Sequence, residues 1–312
     1  MFWIATGFVV LVIIVGALFL NRDTGIFSAI AKGDLDGVSK MISENPAVVN
    51  QKKIFGLTPI IKAAQTDNLP IIDLLIKHGA DLKVKGLLHN AVETGGKSGN
   101  TQIVVRILEC GVQVDSVSLI KSAQTNNLPI IDLLIKHGAD LKVKGLLHHA
   151  AKAGVESDNP QIVLRLLECG VDVNSIDESN GTTALNYIVH ECPSSDKGYM
   201  KMIETLLNNK ADVNLMNTKG IIMEAPLHFI VRFIGQEPLI DLLLAHGADI
   251  NLINRYGLTP LHYAARSGRL DVCKYLWKKG ADPQSKGKIG MTPGQWARKH
   301  NVYLGLESGF MD

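Results

Sequence analysis

The stretch AQTDNLPIIDLLIKHGADLKVKGLLHNA, residues 64–91, returns at residues 123–150 as AQTNNLPIIDLLIKHGADLKVKGLLHHA. Two of its 28 positions differ, Asp67 becoming Asn126 and Asn90 becoming His149, and the copies lie 59 residues apart. A catalytic centre brings unlike groups together once and gains nothing from a second copy. A stack whose units touch only their neighbours accepts a copy, because the new unit meets familiar surfaces on both sides. The duplication therefore points to a repeat architecture.

A shorter signal repeats more widely. HGADLK at His78, CGVQVD at Cys110, HGADLK at His137, CGVDVN at Cys169, NKADVN at Asn209, HGADIN at His246 and KGADPQ at Lys279 end alike. The steps between them are 32, 27, 32, 40, 37 and 33 residues, so the 59-residue copy is a pair of repeats. The best-formed unit is NRYGLTPLHYAARSGRLDVCKYLWKKGADPQSK, starting at Asn254. Thr259 suits a helix N-cap and Pro260 a first helical position, where its missing N–H is not needed. Leu261, Ala264 and Ala265 give a short helix with a small-residue face. Gly268 permits a left-handed turn into a second helix striped by Leu270, Val272, Cys273, Leu276 and Trp277, and Gly280 ends that helix. At the Gly268 position the copied units carry Asp67 and Asn126, which tolerate the left-handed region better than most residues.

GLTPLHYAA, SGRLDV and KKGAD, with the seven phased endings, closely resemble the ankyrin repeat. The resemblance covers about residues 24–312 and implies an all-α solenoid of helix-turn-helix units with short β-turn fingers. The units fall at 24–53, 55–85, 86–114, 115–144, 145–177, 180–217, 218–254 and 255–286. This makes an array over 24–289, closed by a capping half-repeat at 290–312 that opens GMTPGQWARKHN. The units starting at Gly86, Asp115 and Gly145 lack the Thr-Pro start, and the 27-residue step leaves little chain for a finger. Stubby fingers are expected in the first half and longer loops in the second, around HECPSSDKGYM and GIIMEAPLH.

The start of the chain is different. Phe2–Leu20 carries no charge, and 19 residues at about 1.5 Å each make a helix of roughly 28 Å, close to bilayer thickness. Its 13 Leu, Ile, Val and Phe residues favour insertion by about 5 kcal/mol. A transmembrane anchor over residues 1–21 is expected. A cleaved signal peptide ending near Val15-Gly16-Ala17 is the alternative, which would make a secreted or delivered binding protein. No Lys or Arg precedes the run, and the run exceeds a usual signal core. Arg22, Lys32 and Lys40 follow it, which places the repeats in the cytoplasm by the positive-inside rule.

The remaining chemistry is bland. Lysine and arginine number 32 against 30 acidic residues, so nothing suggests nucleic acid as a partner. Four cysteines in 312 residues make no disulfide framework. His78, His137 and His246 share one repeat position with Cys110 and Cys169, and His89, His148, His228 and His262 share the TPLH position. Repetition explains both sets, and no metal-ligand spacing is present. There is no GxSxG, GxGxxG or GxxxxGK[ST], so no enzyme, cofactor, metal or small-molecule substrate is expected.

The expected activity is capture of a protein partner at a membrane. In ankyrin-like stacks the residue after the TPLH histidine faces the concave surface. Down the chain that position holds Lys62, Asn90, Lys121, His149, Tyr187, Phe229 and Tyr263. The last three are aromatic, Arg232 and Arg266 follow three positions on, and Arg255-Tyr256 forms the neighbouring fingertip. Aromatic and arginine side chains dominate binding hot spots, so Tyr187, Phe229, Arg232, Arg255, Tyr256, Tyr263 and Arg266 are the candidate contact residues. Tyr187 and Phe229 have a competing role as filler beneath the inserted loops.

Overall fold

The computed structural model describes residues 25–192, 196–219, 223–233 and 236–300. The expected membrane span Phe2–Leu20 and residues 301–312 of the expected cap lie outside the described residues. Among the described residues no helix is long and apolar enough to cross a membrane. Among the described residues the helices follow one another in short pairs, and the chain divides into two compact units with the boundary in sequence between Asp140 and Leu141.

The first unit contains α1 (Ile26–Lys32), α2 (Leu35–Glu44), α3 (Pro59–Gln65), α4 (Leu69–Lys77), α5 (Leu87–Ser98), α6 (Gln102–Glu109), α7 (Ser116–Gln124) and α8 (Leu128–Lys136). First helices pack on first helices, α1 on α3, α3 on α5 and α5 on α7, while α2 packs on α4 and α4 on α6. The second unit contains α9 (Leu146–Glu156), α10 (Gln161–Glu168), α11 (Ala184–Glu191), α12 (Lys197–Asn208), α13 (Pro226–Ile230), α14 (Glu237–Ala245), α15 (Pro260–Arg266), α16 (Leu270–Lys278) and α17 (Pro293–Lys299). Here α9 packs on α11, α11 on α13, α13 on α15 and α15 on α17.

The duplicated sequence folds twice alike. Asn68 Oδ1 accepts from the Ile71 N–H at 3.0 Å, and Asn127 Oδ1 from Ile130 at 3.1 Å. These caps start α4 and α8, whose Ile71, Ile72 and Leu75, and Ile130, Ile131 and Leu134, are all fully buried. Asp67 and Asn126 take φ +53° and +48°, the left-handed turn that Gly268 makes at +71°. Lys210 stands at the helix-ending glycine position with φ +68°, a conformation that costs a side chain roughly 1 kcal/mol.

Two side-chain devices tie neighbouring repeats. The first uses the TPLH histidine. His148, His228 and His262 donate from Nε2 to the carbonyls of Thr182, Leu258 and Met291 in the following repeat, at 2.8, 3.1 and 3.0 Å. Nε2 being the donor leaves Nδ1 as the acceptor. His262 Nδ1 accepts from the Thr259 N–H at 3.1 Å, completing a capping box. At His148 and His228 the cap is Gly145 or Ala225, which has no hydroxyl, and Nδ1 has no partner. Asn186 takes the histidine position in α11 and donates to the Leu215 carbonyl at 2.8 Å. His89 makes no such bond and lies 4.0 Å from Glu93 instead. The repeat after it has only residues 110–115 before α7 and so lacks the finger that would supply a carbonyl.

Fingers form where chain is available. The Lys53 N–H donates to Leu57 O, Asp177 to Thr182, Asn217 to Glu224 and Asn254 to Leu258. In the last of these, Asn254 Oδ1 also accepts from the N–H groups of Tyr256 and Leu258, both at 3.0 Å.

The second device is an asparagine that bridges consecutive loops. Asn50 donates to Gly79 O at 3.0 Å and accepts from the Asp81 N–H at 2.8 Å. Asn174, Asn214 and Asn251 repeat this toward Asp212, Asp249 and Asp282, accepting from their N–H groups at 2.7, 2.8 and 2.9 Å. The duplicated block has Lys83 at this position. A groove of 680 Å³ opens there, lined by Lys83, Leu82 and Val84 on one loop and by Gly111, Val112 and Gln113 on the next.

Asn214→Ala should lower the unfolding free energy by about 1 kcal/mol, because it replaces two exposed loop hydrogen bonds with bonds to water. Lys83→Asn should raise it by roughly 1 kcal/mol by bridging to Gly111 and Gln113. Urea unfolding of the full-length chain measures both.

Candidate functional site

The position after the TPLH histidine lies on successive first helices, and the one three residues on lies on the same helix or, at Arg232, in the turn that follows α13. In the first unit these residues satisfy one another. Gln65 Nε2 donates to Asn90 Oδ1 at 2.9 Å, and Glu93 takes Lys97 and Lys121, each at 2.9 Å. The Lys121 ammonium, followed by that of Lys97, holds the Glu93 carboxyl down at about 2. This face is hydrophilic and largely self-paired.

The second unit presents different chemistry. His148 and Tyr187 lie 5.9 Å apart with tilted rings. His190, three residues after Tyr187, stacks on Phe229 at 3.8 Å and 14°. Phe233 leans on Phe229 at 5.2 Å and is 42% exposed. The Arg232 guanidinium lies 4.5 Å from the Tyr263 ring centre and 5.4 Å from that of Phe229, a cation–π arrangement. Buried Glu224 accepts from Arg232, and Arg269 Nε donates to the Arg232 carbonyl at 3.1 Å. This ion pair fixes an otherwise flexible side chain with its planar face against aromatic rings.

The expected residues therefore divide. Arg255, Tyr256 and Arg266 are exposed, and Tyr187, Phe229 and Arg232 are half-buried. Tyr263 departs from the expectation that its position faces open space, being 3% exposed. Its hydroxyl accepts from Asn254 Nδ2 at 2.7 Å. Arg232 covers one side of the ring and His228 meets it edge-on at 5.7 Å. Burial, with the Glu224 charge nearby, raises the phenol above its ordinary value. Tyr263 thus supports Arg232 from beneath. Sequence reasoning missed His190 and Glu224. His190 was visible in principle, since it follows Tyr187 by the same three residues that separate Arg232 from Phe229. Glu224 was not, because it comes from the inserted segment GIIMEAPLH, whose path no periodicity specifies.

Among the described residues no group of three histidine, cysteine or acidic side chains converges as a metal site would. Burial lowers the imidazoles of His148, His228, His262 and His190, with those of His228 and His190 reaching about 4; the Arg232 charge adds to the effect at His190. Cys273 is buried in α16 and its thiol is pushed up to about 12, opposite to what a nucleophile needs.

A family profile described as "Ankyrin repeats (3 copies)" matches residues 26–118, 88–177 and 194–287. The chain is 30% identical over 217 residues to the Ankyrin repeat and KH domain-containing protein mask-1 of Caenorhabditis elegans, covering 67% of this chain and 8% of that protein. It is 27% identical over 184 residues to the Ankyrin repeat protein nuc-2 of Neurospora crassa, covering 54% and 16%. It is 23% identical over 294 residues to the Putative ankyrin repeat protein FPV022 of Fowlpox virus, covering 91% and 46%. The chain thus spans less than half the length of these relatives.

The histidines make stability depend on pH. An unfolded histidine binds a proton below about 6.5, whereas folded His228 refuses one until about 4. The unfolded state therefore holds more protons in this window, and stability falls as pH drops through it. His228→Asn keeps a donor, as Asn186 does. It should flatten the pH 4–6.5 slope of unfolding free energy by up to roughly 1.4 kcal/mol per pH unit, read from urea titrations at stepped pH.

Proposed function

The chain belongs to the ankyrin-repeat family, and from that membership we propose that it is a protein-binding scaffold held at a membrane. The observation that carries the binding reading is the cluster in the second unit. Arg232 is fixed by Glu224 against Tyr263 and Phe229, with Phe233 partly exposed. A fixed guanidinium beside accessible aromatic surface loses little conformational entropy on binding, which is what hot spots exploit. Exposed Arg255, Tyr256 and Arg266 extend the cationic and aromatic character, while Tyr187 contributes from α11 and Tyr263 acts from below. Such a surface favours a protein segment that offers carboxylates and apolar side chains.

The membrane part rests on the sequence. Phe2–Leu20 is uncharged and of bilayer length, and the lysines and arginine after it put the repeats on the cytoplasmic side. The rival reading, a cleaved signal, predicts an intact mass beginning near Leu18. An anchor predicts a chain that stays in the membrane pellet through a carbonate wash.

Tyr256→Ser combined with Arg266→Ser should weaken capture of a cytosolic partner tenfold or more, at about 2 kcal/mol for hot-spot loss, with the melting transition unchanged. Tyr263→Ser should instead cost about 3 kcal/mol of stability. Equal capture by the Tyr256/Arg266 double variant and the parent chain would remove the site.

A further inference from the structure

The first finger carries an apolar tip that the fold does not use. Lys52-Lys53-Ile54-Phe55-Gly56 turns between α2 and α3, and Phe55 is 93% exposed with Ile54 38% exposed. Phe55 also takes φ +64°, a left-handed conformation that a bulky side chain adopts only at a cost. The finger at Asn254 shows the alternative, where an asparagine side chain holds the turn and the matching Tyr256 is not left-handed. Lys53 replaces that asparagine, and its ammonium side chain, a donor only, cannot accept from the turn's N–H groups. An exposed aromatic in a strained turn serves neither packing nor turn stability, which directs attention to what it meets outside the chain.

Its surroundings are cationic. Lys52 is exposed, and Lys53 lies over the Phe27 ring at 4.7 Å. The Asn50 bridge holds this finger beside the next loop, which adds exposed Lys83 and Lys85. The acid among these two loops is Asp81, whose carboxylate accepts from the Lys83 N–H at 2.9 Å.

We propose that this fingertip docks on a bilayer with anionic headgroups, Phe55 and Ile54 entering the interfacial layer while Lys52, Lys83 and Lys85 bind the headgroups. Aromatic rings favour that layer, and clustered lysines are drawn to acidic lipid. The charge pattern selects a lipid surface over an apolar protein groove, which would not need flanking lysines on two loops. The proposal is carried by the finger itself. It adds a second membrane contact to the anchored reading above but holds with or without it.

The test uses the full-length chain, with vesicles of phosphatidylcholine alone or with about a third phosphatidylserine. Phe55→Trp adds emission that is read as the difference from the parent chain, and a nitroxide-labelled lipid reports contact. The added emission should shift to the blue and be quenched in the anionic vesicles and far less in the neutral ones. Each of Lys52→Glu and Lys83→Glu should reduce the docked-to-undocked ratio about fivefold or more. Phe55→Gly should raise the melting midpoint by about 2 °C through relief of the turn, which shows that folding does not require the ring; a lowered midpoint would mean that Phe55 serves the fold and would overturn the proposal. Emission that stays unquenched in both vesicles, or is shielded only when a protein is added, overturns the proposal. Should the chain leave the vesicles in a carbonate wash, the anchor reading fails. The fingertip is then judged by sedimentation of the same chain with anionic vesicles: loss on Phe55→Gly supports it, and no change overturns it.

Discussion

The stack depends on hydrogen bonds that cross from one repeat to the next. Helix pairs this short are not stable alone, so each must be seated on its neighbour in a defined way. Apolar contact supplies most of the attraction but little orientation. The histidine-to-carbonyl bonds of His148, His228 and His262, and the asparagine bridges from Asn50, Asn174, Asn214 and Asn251, supply orientation because each reaches a backbone group of the next repeat. Both devices act between nearest neighbours. Helix packing runs between nearest neighbours as well, α3 on α5 and α5 on α7, which is why a 59-residue block that lacks both devices at Lys83 and His89 could be copied without redesign of the rest.

The same devices explain where surface becomes available. In the duplicated block Lys83 replaces the bridging asparagine and His89 finds no finger carbonyl, and the neighbouring loops leave a groove between them. Its first-helix face is closed by Glu93 with Lys97 and Lys121. In the second unit the repeats are longer and their fingers formed. There the first helices carry rings and a guanidinium instead, buttressed by Glu224 and Tyr263. Aromatic and cationic side chains thus gather where the repeats depart from the copied pattern.

Much of this was legible in the sequence. The all-helical repeat pattern, the Thr259-Pro260 cap and the left-handed turn of Asp67 and Asn126 at the glycine position all appear in the structure. These features are local, set by a cap, a φ angle or a periodic stripe. The stubby joint before α7 was equally readable from its 27-residue step. Burial of Tyr263 was not, because it depends on Arg232 reaching across from the turn after α13 under the direction of Glu224, a contact made by an insertion. Nor could spacing show Phe55 in a left-handed turn. That emerges only from comparing the finger at Lys53 with the one at Asn254, where asparagine stands at the lysine's place and the matching Tyr256 is not left-handed.

The asparagine bridge determines how tightly adjoining loops are held, and amide hydrogen exchange reads this residue by residue. The N–H groups of Asp81, Asp212, Asp249 and Asp282 each donate to a bridging asparagine. Gln113 occupies the same position opposite Lys83. In the native chain the four aspartate amides should exchange at least about tenfold more slowly than Gln113, the protection expected of one loop hydrogen bond of roughly 1.4 kcal/mol. Lys83→Asn should bring Gln113 to the level of the others. Equal protection at all five positions in the unaltered chain would contradict the account.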